Sequence, residues 1–265
     1  MPNYYYSGQG SLYVAERDVD GSPKAMIPVG NVPNLEVSIE VTKFEHKESE
    51  TGQRAVDLSI IQEKKGTLTM TLENINAYNL AMAFWGQSVI NAAAVAQAQV
   101  VTAYLGYKTK LALPAVSTVL VTDDATKIID YEFGTAVDDL VNSLNGWIDE
   151  ANGSMHIFTD AEQTTRGAAA NITDLELLEV TCDNADSVSM EAFTTTTMER
   201  YLVFEGLNTI DEKAVRIEIF KAQLDPLSGY GLINEELAAL EVNGTILSDA
   251  LQTGDSKFFS QINVD

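Results

Sequence analysis

The chain has 265 residues, 45% of them apolar, and carries 39 acidic against 16 basic side chains, a formal net charge of −23. That length suits one large β domain or two smaller ones, each able to bury a core. So acidic a balance excludes ordinary binding to a phosphate backbone, which needs clusters of Lys and Arg, and no run approaches the roughly 20 apolar residues of a membrane-spanning helix.

The opening MPNYYYSGQG has no basic region followed by an apolar core, so no secretory signal is expected. RDVDG at 17–21 reads as a hairpin turn; it starts like a calcium loop but lacks the later ligands and the closing Glu. Leu35, Val37, Ile39 and Val41 alternate with Glu36, Ser38, Glu40 and Thr42, the period of a strand with one apolar and one polar face. Leu68, Met70 and Leu72 alternate in the same way with Thr67, Thr69, Thr71 and Glu73. The stretch between them, FEHKESETGQRAVD at 44–57, is too long for a tight turn and mixes both signs of charge around Gly52. It is expected to be a loop.

In ENINAYNLAMAFWG, Asn76 is positioned to cap a short helix whose Ala77, Leu80, Ala81 and Phe84 share a face, with Gly86 as its stop. The Ala-rich run 92–98 reads as a linker or a second short helix. Val116 to Val121 reads as a strand, and Asn145-Gly146 and Asn152-Gly153 as turns between short strands. Val137, Leu140, Val141 and Leu144 fit one helical face. Strands return at 201–204 and at Val215, Ile217 and Ile219, while ALEVNGTILSDA suggests two short strands about Asn243-Gly244. The expectation is a mainly β protein.

Signals for chemistry are sparse. Cys182 is the one cysteine, which rules out an intrachain disulfide and reads as a buried thiol. His46 and His156 are the only histidines, and neither has the Cys or His neighbours of a zinc site. No G-x-S-x-G places a serine at a nucleophile elbow, no Gly-rich cradle is present, and no acidic pair stands out as a glycosidase couple. The sequons at Asn152, Asn171 and Asn243 read as turn-prone sequence. The reading is of a non-enzyme without cofactor or metal. Acidity is uneven: residues 128–199 hold 15 acids and one base, Arg166, for −14, leaving −9 for the other 193. A polar strand face beside this acidity suits either a solvated exterior or the wall of a water-filled interior that repels phosphates. Thr, β-prone and uncharged, fits such a wall.

Residues 30–86, from GNVPNLEVSIEVTKFEHKESETGQRAVDLSIIQEKKG through the Thr-rich TLTMTL to the Asn-Leu-Ala helix, resemble the N-terminal half of siphophage major tail tube proteins. ERYLVFEGLN at 199–208, IEIFKAQLDPLSGYGLINEE, GTILSD and the final KFFSQ resemble the C-terminal half, so the likeness covers a little over half the chain.

That resemblance implies two packed antiparallel β-sheets with a flanking short helix. Six copies would form a β-barrel ring, and rings would stack into the tube through which a genome leaves. It implies a core at 1–103 and 199–265, with 104–198 as a β-rich middle segment or insertion. Phe44, Glu45, His46, Lys47, Glu48, Arg54 and Asp57 would belong to an inter-ring loop. Glu36, Glu40, Thr67, Thr69, Thr71 and Glu73 would face the lumen. The partners implied are further copies of the chain and the tape measure, tail terminator and tail tip proteins. DNA would pass without specific binding, and no membrane is involved. The location would be the virion tail, after assembly in the host cytoplasm. The inner tube of a contractile tail or a secretion tube fits the same pattern. From another class, a carbohydrate-binding or adhesin-like β-sandwich would need exposed aromatic clusters, of which Tyr4, Tyr5 and Tyr6 form the only dense one.

Overall fold

The computed structural model describes residues 5–49, 53–135 and 144–264. They are mainly β and form two compact units, one comprising the chain up to Ser88 and from Met190 onward, the other Val89–Ser189. The resemblance implied these boundaries at 103/104 and 198/199. The first unit begins with β1 (Gly8–Ala15), β2 (Ile27–Pro28), β3 (Asn34–Lys47), β4 (Val56–Leu72) and α1 (Ala77–Ala83), and the chain leaves through β5 (Gln87–Asn91). The second contains β6 (Ala94–Thr102), β7 (Lys108–Lys110), β8 (Val116–Asp123), β9 (Asp130–Tyr131), β10 (Phe133–Gly134), β11 (Gly146–Asp149), β12 (Ser154–Ile157), α2 (Asp160–Arg166) and β13 (Leu177–Asn184). The chain returns through β14 (Ser187–Glu191), which pairs with β5, into β15 (Met198–Asn208), β16 (Lys213–Leu224), β17 (Leu240–Ile246) and β18 (Phe259–Asn263).

In the first unit, strands from both ends of the chain interleave in one eight-stranded sheet, ordered β2-β1-β15-β16-β17-β4-β3, with β18 also paired to β16. Every described pairing in it is antiparallel. Alternation decides its two faces: Leu68, Met70 and Leu72 are at most 1% exposed and join Leu12, Val14, Leu202, Leu224, Leu240 and Val242 in the core. Burying each such side chain contributes about 1.5–3 kcal/mol. The sheet stays open: β2 and β3 are its edges, and a cleft of about 770 Å³ lies among β1, β3, β15 and β16. Two packed sheets with one helix is therefore too simple a description. The described residues form four sheets and two short helices, and none of the sheets closes into a barrel within one chain.

Helix α1 starts where expected, with the Asn76 side chain accepting from Asn79 N–H at 2.8 Å. Its buried set differs from the expected face and consists of Asn79, Ala81, Met82 and Ala83. Asn79 is tied down because its amide donates to the Val29 and Asn74 carbonyls at 2.8 and 2.7 Å. The left-handed residue after the helix is Trp85, at φ 50°, held by an indole N–H bond to the Leu224 carbonyl at 2.9 Å. Gly86 serves close approach instead, since a Cβ there would stand 2.0 Å from the Glu191 carbonyl oxygen.

The second unit has two four-stranded sheets, β10-β11-β12-β7 and β6-β13-β8-β9, around Leu111, Met155, Ile157, Ile172, Leu178 and Val180. Buried Asn145 and Gln163 complete one another inside it. Asn145 donates to Gln163 Oε1 at 2.8 Å and to the Ala170 carbonyl at 2.7 Å, and Gln163 donates to the Phe158 and Ile172 carbonyls. The Ala-rich run is not a linker or helix but part of β6, drawn into the sheet by β13. Asn152-Gly153 is a turn, with Gly153 at φ 60°, whereas Gly146 opens β11. Cys182 is buried. Of the helical face expected at 137–144, Val137, Leu140 and Val141 lie outside the described residues.

Candidate functional site: an exposed β-ribbon and a polar sheet face

The segment expected to be a long loop is strand at both ends. β3 runs to Lys47 and β4 starts at Val56, so Phe44, Glu45, His46, Lys47 and Asp57 are strand residues. The connection is only 48–55, closed by Glu48 N–H donating to the Ala55 carbonyl at 2.8 Å. Arg54 sits there at φ 52°. From residue 39 to Lys47 on β3, and from Val56 to residue 65 on β4, every residue is exposed. At about 3.4 Å per residue this two-stranded ribbon runs some 25–30 Å without a core on either side.

Its composition is not that of a solvated hairpin. Ile39, Val41, Phe44, Val56, Leu58, Ile60 and Ile61 are 41–64% exposed. Two register shifts rearrange them. Thr42 pairs with Glu63 but Lys43 with Ile61, leaving Gln62 as the extra residue of a bulge; a second shift leaves Asp57 extra between Leu58 and Val56. Ile39 and Val41 continue the apolar face of the sheet. Beyond the first bulge, Phe44 faces Ile60 and His46 faces Leu58 on the other side of the ribbon, by register. Apolar surface is thus presented to both sides. At the second bulge His46 Nδ1 meets Asp57 Oδ1 at 2.6 Å, and that hydrogen bond holds the Asp57 carboxyl below its ordinary range.

The polar face is formed by the same two strands at their base. Asn34, Glu36, Ser38 and Glu40 lie opposite Thr71, Thr69, Thr67 and Lys65. The face continues onto Glu241, Asn243 and Thr245 of β17, where the Thr69 hydroxyl donates to Asn243 Oδ1 at 3.1 Å. Five of the expected lumen residues therefore share one face: Glu36, Glu40 and Thr69 exposed, Thr67 and Thr71 half-buried. Glu73 lies past the end of β4, where its carboxylate accepts from Asn31 Nδ2 at 2.5 Å. Lys65 adds a cation that the sequence pattern had not placed there.

Sequence reasoning found Ile39, Val41 and Phe44 but missed the apolar members of β4 in the ribbon: Val56, Leu58, Ile60 and Ile61. Their signal was present: Val56, Leu58 and Ile60 recur with period two inside the supposed loop and its flank. Among the described residues, no group of three or more His, Cys, Asp or Glu could hold a metal ion, and no helix is long and apolar enough to cross a membrane.

Over residues 5–262 the chain matches the family described as Protein of unknown function UCP028589, and it belongs to that family. No curated protein matches it.

Proposed function

We propose that this chain is a self-assembling structural protein, the tail tube subunit of a long-tailed bacteriophage. The observation that carries this reading is the β3–β4 ribbon, with seven large hydrophobic side chains 41–64% exposed on an arm that has no core of its own. Two-stranded hairpins are at best marginally stable alone, and a long apolar edge invites pairing with another chain. Covering each of these half-exposed side chains would contribute about 1 kcal/mol. Their number turns a weak contact into a specific one.

In the proposed tube the ribbon reaches the neighbouring ring, and the face of Glu36, Glu40, Thr67, Thr69 and Thr71 lines the lumen, with Glu73 at its border. Like charges some 10 Å apart repel by about 1.7 kcal/mol at an effective dielectric of about 20, before salt screening. A wall of carboxylates and hydroxyls would let DNA slide without holding it. The reading is tested by sedimentation velocity. Wild-type protein should sediment as species far larger than 28.8 kDa, and Phe44→Asp with Ile60→Asp should sediment as a folded monomer. A wild type that stays monomeric at every concentration would count against it.

A further inference from the structure

Residues 225–239, between β16 and β17, carry no regular structure. The start of this connection is held in place: Leu227 N–H donates to the Ala83 carbonyl at 2.8 Å, and Tyr230 packs edge-on to Phe84 with centroids 5.9 Å apart. Past that anchor, Leu232, Ile233 and Leu237 stand in solvent at 83, 97 and 93% exposure. Single exposed hydrophobics are ordinary, but three so close together on an anchored loop form a patch. Glu235 and Glu236 lie among them and make no ion pair among the described residues.

At the far end of β17 is a complementary surface. Ile39, Ile246, Phe258 and Phe259 line an apolar groove of about 170 Å³, with Lys64 on the same face; Lys65 is at its rim, on the strand position that faces the polar side. A cavity of about 150 Å³ holds a benzene ring, so a branched aliphatic side chain fits. Lys64 has no ion-pair partner among the described residues. The larger cleft near β1 has no charged residue in its lining and offers nothing to two glutamates.

We infer that the 232–237 segment docks into the Ile39/Lys64 groove of a second copy of the chain, Leu or Ile filling the groove and Glu235 and Glu236 meeting Lys64. In its own chain the loop is not in the groove, since Leu232, Ile233 and Leu237 stand in solvent. Leu237 is three residues before Leu240, and the groove starts at Ile246, so β17 separates the two by about 20 Å at about 3.4 Å per residue. The contact joins different patches on the two copies and leaves one of each free. Such a contact propagates into a ring or a filament. This deepens the self-assembly reading and rests on it.

The test compares wild type, Glu235→Lys with Glu236→Lys, Lys64→Glu, and an equimolar mixture of the two variants. Assembly is followed by sedimentation velocity, with circular dichroism as a control for folding. Each variant alone should need about tenfold more protein or greater for half-assembly, because attraction across the contact becomes repulsion. The mixture should recover, since a lysine loop then meets a glutamate groove. Ile233→Ser, at a solvent-exposed position outside the core, should show the same loss as the charge variants. Variants that assemble like wild type, or a mixture no better than its components, would overturn the docking while leaving self-assembly standing. A wild type that never assembles would overturn both.

Discussion

Asn145 and Gln163 show how single polar residues hold the interior of the second unit. Asn145 is 2% exposed and Gln163 fully buried, and each satisfies backbone groups that water cannot reach. Asn145→Ala should therefore destabilise by about 2 kcal/mol, since it removes a buried donor from Gln163 Oε1 and leaves the Ala170 carbonyl and the Glu132 N–H without this partner. Denaturant titration of the full chain measures this, and a loss under about 0.5 kcal/mol would show that the network relaxes. Asp123 makes a different, pH-dependent contribution. Hydrogen bonds from the Thr126 hydroxyl and the Ile129 N–H, with others from Thr126 and Ile128, hold its carboxyl well below the ordinary value of 3.8. A depressed carboxylate stabilises fully above that ordinary value, and the contribution fades as pH falls below it. Asp123→Asn should lower the melting temperature at pH 7 and narrow its gap from wild type toward pH 2. A gap that is constant with pH would remove the carboxylate from the account.

At the scale of elements, alternation is legible only where a core gives it meaning. Residues 35–41 and 68–72 were readable as strands because one side meets the sheet's interior. Past residue 42 charged and apolar residues occupy both sides of the ribbon, and two bulges shift the register, so its pattern passed for a loop. Local signals failed elsewhere for a stated reason. Ala favours helix, yet β13 recruits Ala94–Thr102 as β6. Asn243-Gly244 is a strong turn signal, yet it lies inside β17, where Gly244 pairs with Leu68 and Leu224. Helix α2 is only seven residues long, and its legible mark is the capping box of Thr159 and Glu162 with Gly167 left-handed at its end. The ribbon also yields a prediction. Deleting residues 48–54 leaves β3 and β4 whole, so it should weaken assembly less than Phe44→Asp, Leu58→Asp and Ile60→Asp together, as read by the concentration of half-assembly. Equal effects would place the contact at the tip, not along the strands.

For the whole molecule, an open sheet, an apolar arm and an acidic polar face together make up the proposed self-assembling subunit. The sequence could anticipate the polar face from its alternation. It could not reveal that the sheet leaves its edges free, because the pairing of β1 with β15 and of β4 with β17 links residues more than 150 apart. If the polar face lines a water-filled channel, Thr69→Cys should react with a small maleimide in both free and assembled protein. A maleimide on a long polymer should reach it only in the free subunit, and native Cys182 is buried and silent. Equal labelling by the long reagent in both states would put that face outside. The most direct measurement is negative-stain electron microscopy of the purified full chain across a range of concentrations. The account predicts stacked rings or tubes with six-fold end views and a central channel, and single subunit-sized particles at every concentration would contradict it.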